Sequence, residues 1–399
     1  MRILLITDNH TPTGGAEKYF FDLKSRLQKA AEIEVFSCGF SENENQDEHS
    51  LVLKRIKSDT GKWLGRFVIN PITYFKLKNY IHRINPDVIH LHNVKQHTAA
   101  VLQAIKPYPI VQTVHDFSLI CPTAENMHEG QHPCATGFRW SCFWKHRNNK
   151  YGHFKYLLLV AAHLNLKRQL KKSVKKFIAP SPFLANYLTS NEYYNVIDIT
   201  PFQKSVASTQ NTTIDNHHFL YAGGFESHKG IHLLLDEFAM ACKKNPALKL
   251  SIAGNCNNQT EITHRLDELN IKNNVNLLGW QTDLTAYYQQ CSTLIFPSIG
   301  LESFGLVITE AMSHARAVIG VNYGTSAWLI DDQKTGLHFD PNKKGDLAEK
   351  ILALANQVDV ARQLGKNGRE KLNAMIDNEK VLEQIISVYR EVIDRSNNN

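Results

Sequence analysis

Glu302 and Glu310 stand eight residues apart, around Ser303-Phe304-Gly305-Leu306-Val307-Ile308-Thr309. Gly305 and the apolar run after it read as the start of a helix, with Glu302 just before it and Glu310 about two turns in. At ~100° per residue, that spacing turns the second carboxylate by only ~80° from the first in projection. Both face one hollow at different depths, which suits two sets of hydroxyls, one on a sugar and one on a ribose. The backbone N–H groups of Phe304, Gly305, Leu306 and Val307 are the unpaired donors of a helix start, and a diphosphate fits between them. A helix-terminal charge followed by a solvated glutamate satisfies the same spacing.

Three further groups stand immediately after apolar runs. Gly14-Gly15 sits where a loop turns into a helix, a place where the backbone approaches a phosphate or a sugar hydroxyl closely, although a plain turn explains it too. Neither G-x-G-x-x-G nor G-x-x-x-x-G-K-[ST] occurs, so neither a dinucleotide fingerprint nor a P-loop is supported. Gly223-Gly224 leads to Lys229-Gly230, and Thr113-Val114 leads to His115-Asp116. Most of the 19 histidines are expected to be ordinary surface or core residues, with His90 and His92 structural and His115 the exception by position.

The elements that must position these groups alternate. Strands are expected at Arg2–Thr7, Asp87–Leu91, Ile110–Val114 and Phe177–Ala179. A loop-like stretch at Asp198–Ser208 follows, and strands resume at Phe219–Ala222, Lys249–Ala253, Val275–Leu278, Thr293–Phe296 and Ala317–Val321. They are short, rich in Ile, Val and Leu, and lack strict alternation, as strands covered on both faces do. Amphipathic stretches at Ala16–Gln28, Ile231–Ala241 and Phe304–Ala315 lie between them. Strand and helix in turn mean α/β domains with parallel sheets. The pattern pauses near residues 200–216, which predicts two doubly wound domains, residues 1–200 and 201–375, and a final helical segment over 376–399. Ligands of such sheets bind beyond the carboxyl ends of the strands, where all the groups above stand.

In register on that framework, Gly14-Gly15-Ala16-Glu17, Thr113-Val114-His115-Asp116, Lys229-Gly230, Pro297-Ser298, Glu302 to Glu310 with Ala311-Met312, and Thr335-Gly336-Leu337 resemble the retaining nucleotide-sugar glycosyltransferases of family 4. The resemblance covers nearly the whole chain. It implies the GT-B fold, two Rossmann-like domains facing a central cleft, with the acceptor on the first domain, the donor on the second, and the last helix crossing back to the first. It implies that Glu302 binds hydroxyls of the donor sugar, Glu310 the ribose, and Lys229 the diphosphate. Gly15 offers an N–H to the phosphate and His115 sits near the transferred sugar. Gly14, Gly224, Ser303, Phe304, Gly305, Leu306 and Val307 complete the donor site. Glu302, Lys229 and His115 carry the chemistry, a front-face transfer with no enzyme nucleophile, no cofactor and no metal. Three positions depart from the family. Gly224 replaces the usual arginine, which leaves the diphosphate to Lys229 or to another cation such as Arg316. Ala315-Arg316-Ala317 replaces Gly-x-Pro, and Trp328 replaces an acidic residue after Gly324-Thr325. A non-catalytic GT-B protein that binds glycan or partners a transferase is the alternative that Gly224 favours. An epimerase or hydrolase on the same fold is disfavoured by the paired glutamates.

Composition agrees with a globular chain: 399 residues, 43% hydrophobic and 21% charged. Met1-Arg2 leads at once into Ile3-Leu4-Leu5-Ile6, and no apolar run reaches the ~18 residues of a membrane span, so a cytoplasmic protein without signal peptide is expected. Cys121, Cys134 and Cys142 share one stretch with His128, His132 and His146. The absence of C-x-x-C favours free thiols over zinc. The net charge of +7 is concentrated in residues 1–200, which carry +10 against −3 for the remainder, and Gly130 to Asn191 holds 11 basic residues and no acidic one. No nucleic-acid-binding module accompanies this charge. Lys54, Arg55, Lys57, Lys62 and Arg66 flank Trp63, Phe67 and Ile69, while Lys167, Arg168, Lys171, Lys172, Lys175 and Lys176 flank Leu164, Leu166 and Leu170. Basic residues beside apolar ones suit an anionic leaflet, at about 1 kcal/mol each. The expected partners are therefore a nucleotide sugar, a glycan or lipid-linked acceptor, and an anionic membrane surface, in the setting of envelope polysaccharide or lipopolysaccharide assembly.

Overall fold

A computed structural model describes residues 1–11, 14–124, 126–128, 132–134, 136–145, 152–203, 214–254 and 259–397. The chain divides into two compact units, one of Met1–Asn126, Ala135–Phe202 and Asn378–Asn399, the other of Met127–Cys134 and Gln203–Asp377.

The strands of the first unit's sheet are β1 (Arg2–Ile6), β2 (Glu34–Ser41), β3 (Asn45–Gln46), β4 (Ser50–Lys54), β5 (Val88–Leu91) and β6 (Ile110–Thr113). A separate antiparallel pair, β7 (Met127–His128) and β8 (His132–Pro133), precedes its last strands, β9 (Val174–Ala179) and β10 (Val196–Asp198). The order across the sheet is β10-β9-β6-β5-β1-β2-β4-β3, parallel except at β3. In the second unit, β11 (Asp215–Ala222), β12 (Lys249–Ala253), β13 (Val275–Gly279), β14 (Cys291–Phe296), β15 (Ala317–Val321) and β16 (Leu337–Phe339) form a six-stranded parallel sheet in the order β13-β12-β11-β14-β15-β16. Both sheets are doubly wound: the first strand lies inside, and the winding reverses beside it. That reversal opens a crevice between β1 and β5 in one unit and between β11 and β14 in the other.

The central strands are apolar on both faces because helices cover both. Ile3, Leu4, Leu5 and Ile6 have no exposed surface. The helix Gly15–Leu27 buries Tyr19, Phe20, Leu23 and Leu27, a three-and-four spacing that faces the sheet. Pro71–Ile84 starts with a proline at its first turn and Asn70 as a side-chain cap to the Thr73 N–H, and it ends at Asn85 in the left-handed region. Asn378–Asn397 packs within the first unit through Val381, Ile385, Val388, Tyr389 and Val392.

Several elements differ from the sequence expectation. β11 begins at Asp215 rather than Phe219, since Asp215-Asn216-His217-His218 continue the strand in half-buried positions. β2 and β4 were not expected. β2 contains Ser37, Gly39 and Ser41, which lower its strand signal, yet it is buried along most of its length. β10 and β16 have three residues each, too few for a pattern. The expected helix Phe304–Ala315 is Leu306–Ser313, and the loop expected from Asp198 starts after β10. Of the pause residues, 204–213 lie outside the described residues.

Candidate active site

In the second unit, β11 ends at Ala222 and β14 at Phe296, neighbours across the reversal point. The chain after β11 runs through Gly223-Gly224 to a short turn, Ser227–Lys229, and then to the helix Ile231–Lys244. Gly230 joins the two with φ of +74°, and any Cβ there would run into the Pro297 carbonyl. This close approach locks the Lys229 turn onto the loop after β14. The Gly300 N–H donates to the His228 carbonyl at 2.8 Å, and Ser298 Oγ lies 3.3 Å from the same carbonyl.

The lock brings Lys229 and Glu302 together. Lys229 Nζ lies 2.7 Å from Glu302 Oε1, and Ser298 Oγ donates to that oxygen, also at 2.7 Å. Thr325 Oγ1 holds the Glu302 carbonyl from the other side at 2.5 Å. Burial would raise the Glu302 pKa, but the Lys229 ammonium and the Lys229 and Ser298 hydrogen bonds outweigh it. The carboxyl is held below its usual range and stays ionised. Glu302 then passes through Ser303 and the buried Phe304 to Gly305, whose φ of +87° starts the helix Leu306–Ser313. Leu306 and Val307 open that helix beside the pair. Glu310, in its second turn, accepts from the Tyr288 hydroxyl at 3.1 Å. Burial first, and Glu310 second, push the Tyr288 pKa up, so Tyr288 is a permanent donor.

The departures from the family pattern acquire structure here. Arg316 does not serve the site. Its guanidinium is buried and donates to the carbonyls of His314 and Cys291, and Cys291 opens β14, at the end of the strand opposite Ser298. The expectation that Arg316 supplies a second cation is corrected by this position. Beside Gly224, the Glu226 carboxylate fills the space a Cβ would need, so an acid stands where the family has arginine. Trp328 packs edge-on against Phe304, with ring centroids 6.0 Å apart.

In the first unit, the corresponding crevice between β1 and β5 holds a polar cluster. Asp8, just beyond β1, accepts from the backbone N–H groups of Lys95 (2.5 Å) and Gln96 (2.8 Å) beyond β5. Burial pushes Asp8 up to about 6 despite these hydrogen bonds. Lys95 Nζ pairs with Asp116 at 2.6 Å. Gly14 caps the helix that starts at Gly15, but Glu17 folds back toward it: its carboxylate accepts from Asn9 at 3.1 Å and comes within 2.8 Å of where a Gly14 Cβ would be.

His115 is not isolated. Its Nε2 lies 2.9 Å from His92 Nδ1 with the rings stacked, and the His92 ring meets that of His90 at a tilt of 31°, with centroids 4.5 Å apart. His90 is held by Tyr389 (2.6 Å) and Thr113 (2.8 Å). Burial lowers the pKa of all three, that of His115 to about 4, so the chain of imidazoles is neutral near pH 7. His90 and His92 are therefore the support of His115 rather than separate core residues. Their i, i+2 spacing on a strand end was the sequence signal. Lys95, Tyr288 and Glu226 carried no comparable signal, because their roles arise from contacts distant in sequence or from the missing Gly224 side chain.

Among the described residues no group of three His, Cys, Asp or Glu is placed to hold a metal ion. Cys121, Cys134 and Cys142 form no disulfide among the described residues, and His146 lies outside them. No described helix is long and apolar enough to cross a membrane.

Residues 13–197 match the profile of Glycosyltransferase Family 4, and residues 208–371 match that of Glycosyl transferases group 1. The chain belongs to the family 4-type glycosyltransferases. The O-antigen chain mannosyltransferase C of Escherichia coli is 26% identical to this glycosyltransferase over 251 residues, 59% of this chain and 66% of that one. The match thus spans less than two thirds of that relative's length. Sucrose-phosphate synthase from Thermosynechococcus elongatus superposes with a TM-score of 0.76 at 22% identity, covering 99% of both chains. HepE of Anabaena, solved with UDP and glucose, superposes with a TM-score of 0.72 at 18% identity, covering 98% of this chain and 100% of that one. These neighbours establish the GT-B class of fold.

Proposed function

We propose that this glycosyltransferase moves a sugar, with retention of anomeric configuration, from a nucleotide diphosphate sugar to a glycan or lipid-linked acceptor of envelope polysaccharide. The observation that carries this reading is the Lys229–Glu302–Ser298 cluster at the β11/β14 reversal, beside the first turn of Leu306–Ser313. A diphosphate there meets the Lys229 ammonium and unpaired helix N–H groups, which stabilise charge as it builds on the leaving group. Glu302, ionised and fixed by Ser298 and Thr325, accepts hydroxyls of the donor sugar, and Glu310 accepts those of the ribose. The leaving diphosphate oxygen takes the acceptor's proton, so neither nucleophile nor metal is required. His115, neutral and held by His92, keeps an uncharged imidazole just beyond β6 of the first unit.

The relatives support the substrate classes: one is described as an O-antigen mannosyltransferase and another was solved with UDP and glucose. The test is transfer from a panel of nucleotide sugars to oligosaccharide and lipid-linked acceptors, with the anomeric proton of the product read by NMR. Retention in the presence of EDTA supports the reading. Inversion, or activity abolished by EDTA, removes the corresponding part of it.

For the membrane surface, the structure favours one of the two basic stretches. Around Pro71–Ile84, Leu64, Phe67, Val68, Ile69, Ile72 and Phe75 are 39 to 66% exposed, next to Lys62 and Arg66. An apolar patch rimmed by cations suits an anionic bilayer. In the second stretch Leu170 is buried, Lys176 pairs with Glu391, and Lys167 and Lys171 lie over the Tyr193 ring. Those groups serve the fold. Flotation with anionic but not neutral liposomes, lost in Ile72→Glu/Phe75→Glu, is expected; equal recovery with both lipids contradicts it.

A further inference from the structure

The line of imidazoles that starts at His115 ends on the last helix, inside the first unit. The Tyr389 hydroxyl, on Asn378–Asn397, lies 2.6 Å from His90 Nδ1, and Thr113 Oγ1 lies 2.8 Å from His90 Nε2. His90 has no exposed surface, and its ring backs that of His92. His92 is buried too, with Phe20 edge-on to its ring at 5.1 Å, and it reaches His115 through Nδ1. Tyr389 and His90 are the parts of this line that the proposed reaction leaves unused.

The hydrogen bonds decide where each neutral ring carries its one proton. His92 Nε2 is buried and has no hydrogen-bond partner among the described residues. A bare imidazole nitrogen tolerates that better than an N–H, because a buried donor without an acceptor is the rarer and costlier case. The His92 proton therefore sits on Nδ1 and is donated to His115 Nε2. With Nε2 accepting, His115 keeps its own proton on Nδ1. At the other end of the line, burial keeps the Tyr389 hydroxyl protonated. A phenol is a stronger acid than a neutral imidazole, so Tyr389 donates to His90 Nδ1, and His90 donates from Nε2 to Thr113.

We propose that His92 and Tyr389 are positioning residues that fix His115 as its Nδ1–H tautomer, a hydrogen-bond donor and not a base. Tyr389 sets the His90 ring, the His90 ring backs His92, and His92 donates to His115. The consequence is chemical. His115 Nε2 is taken by His92 and Nδ1 already holds a proton, so His115 removes no proton from an acceptor hydroxyl. That proton goes to the leaving diphosphate oxygen. What His115 has left to offer is its Nδ1–H, a donor for a substrate oxygen. The tautomer stands on hydrogen bonds of the first unit alone. Its effect on rate rests on the proposed function.

The test is a long-range proton–nitrogen correlation spectrum of the full-length protein labelled with 15N-histidine, near pH 7.5 and without substrate. Signals are assigned by their loss in His115→Asn and His90→Asn. The expected result is a protonated Nδ1 and a bare Nε2 on His115, and the reverse on His90. His92→Leu is expected to let His115 divide between both tautomers. His92→Asn, whose amide nitrogen can stand where Nδ1 stood, is expected to keep the native form. Tyr389→Phe removes one oxygen and is expected to free the His90 tautomer and weaken the His115 preference. Thermal melts show which variants are folded, and the two mild ones keep the test open if His92→Leu does not fold. In transfer assays, His92→Leu is expected to lower kcat about tenfold, the worth of one hydrogen bond, with KM for the nucleotide sugar within about twofold. His92→Asn is expected to recover most of that loss, and Tyr389→Phe to lower kcat by about threefold. A native His115 protonated at Nε2 overturns the proposal, as does a His115 tautomer unchanged in folded His92→Leu and Tyr389→Phe. A kcat unchanged where the tautomer has changed removes its part in the reaction. A protein that transfers from no nucleotide sugar refutes the proposed function, and the spectra still decide the tautomer.

Discussion

Lys229 neutralises Glu302 at 2.7 Å, and the two are only partly exposed, 30% and 18% at the side chain. Removing the lysine strands a largely buried carboxylate and deletes the cation proposed for the diphosphate. Lys229→Met is therefore expected to lower kcat/KM about 100-fold or more, ~3 kcal/mol of lost transition-state stabilisation, with a fall of only a few degrees in Tm. Steady-state kinetics beside a thermal melt checks both. Glu226 acts the other way. The Tyr221 hydroxyl, donated to the Gly224 carbonyl, lies within the fields of both Glu302 and Glu226, so the acid opposes an incoming diphosphate. Glu226→Gln is expected to tighten nucleotide diphosphate binding by about two- to fivefold, roughly 0.5–1 kcal/mol for one part-screened charge. Calorimetric titration measures it, and unchanged or weaker binding contradicts this account of the Gly224 position.

At the scale of elements, the glycines at the turns decide how the loops meet. Gly230 and Gly305 both have positive φ, but their surroundings differ. A Cβ on Gly305 meets the movable Ile308 side chain at 3.2 Å, while one on Gly230 meets the backbone carbonyl of Pro297. Gly305→Ala is expected to cost about 1–2 kcal/mol for the left-handed backbone alone. Gly230→Ala is expected to cost distinctly more and to loosen the Lys229 turn from Ser298. Urea unfolding of the two variants ranks them, and the reverse order refutes the argument. The same elements show what was legible in the sequence. β12 and β15 were readable to the residue, because Ala317–Val321 is an apolar run between Arg316 and Asn322 and the mostly apolar Lys249–Ala253 begins at a lysine and ends at Gly254. The start of β11 was not, because its first four residues are polar and draw their strand geometry from β14 and β12. On the site side, Glu302 and Lys229 were legible as types and positions. Their pairing was not, since it depends on the Gly230 contact between two loops about 70 residues apart.

Across the whole molecule, the buried histidines set the response to acid. Burial holds His90, His92, His115 and His163 below their ordinary pKa, His115 and His163 at about 4. Between pH ~6.5 and ~4 the unfolded chain binds protons that the folded one refuses, so each contributes stability that is present above pH 6.5 and lost as pH falls. Asp8 has the opposite sign, because its raised pKa means the folded state binds the proton first and stability falls as pH rises from ~4 to ~6. Four groups outweigh one, and Tm is expected to drop steadily on acidification from pH 6.5 to 4. A Tm that is flat or rising toward pH 4 contradicts the neutral histidine chain. The helix Asn378–Asn397 contributes through Tyr389, and Tyr389→Phe leaves His90 Nδ1 without its 2.6 Å partner. Its expected cost is about 1–3 kcal/mol in denaturant unfolding.

The central claim is that Lys229, Glu302 and Glu310 hold a nucleotide sugar beside the start of Leu306–Ser313. Calorimetric titration of UDP- and GDP-sugars into the native protein, Lys229→Met and Glu310→Ala tests it directly. The account predicts that one donor binds the native chain and that each substitution weakens it at least tenfold. Binding of equal strength in all three proteins, or none to the native protein across the panel, would contradict it.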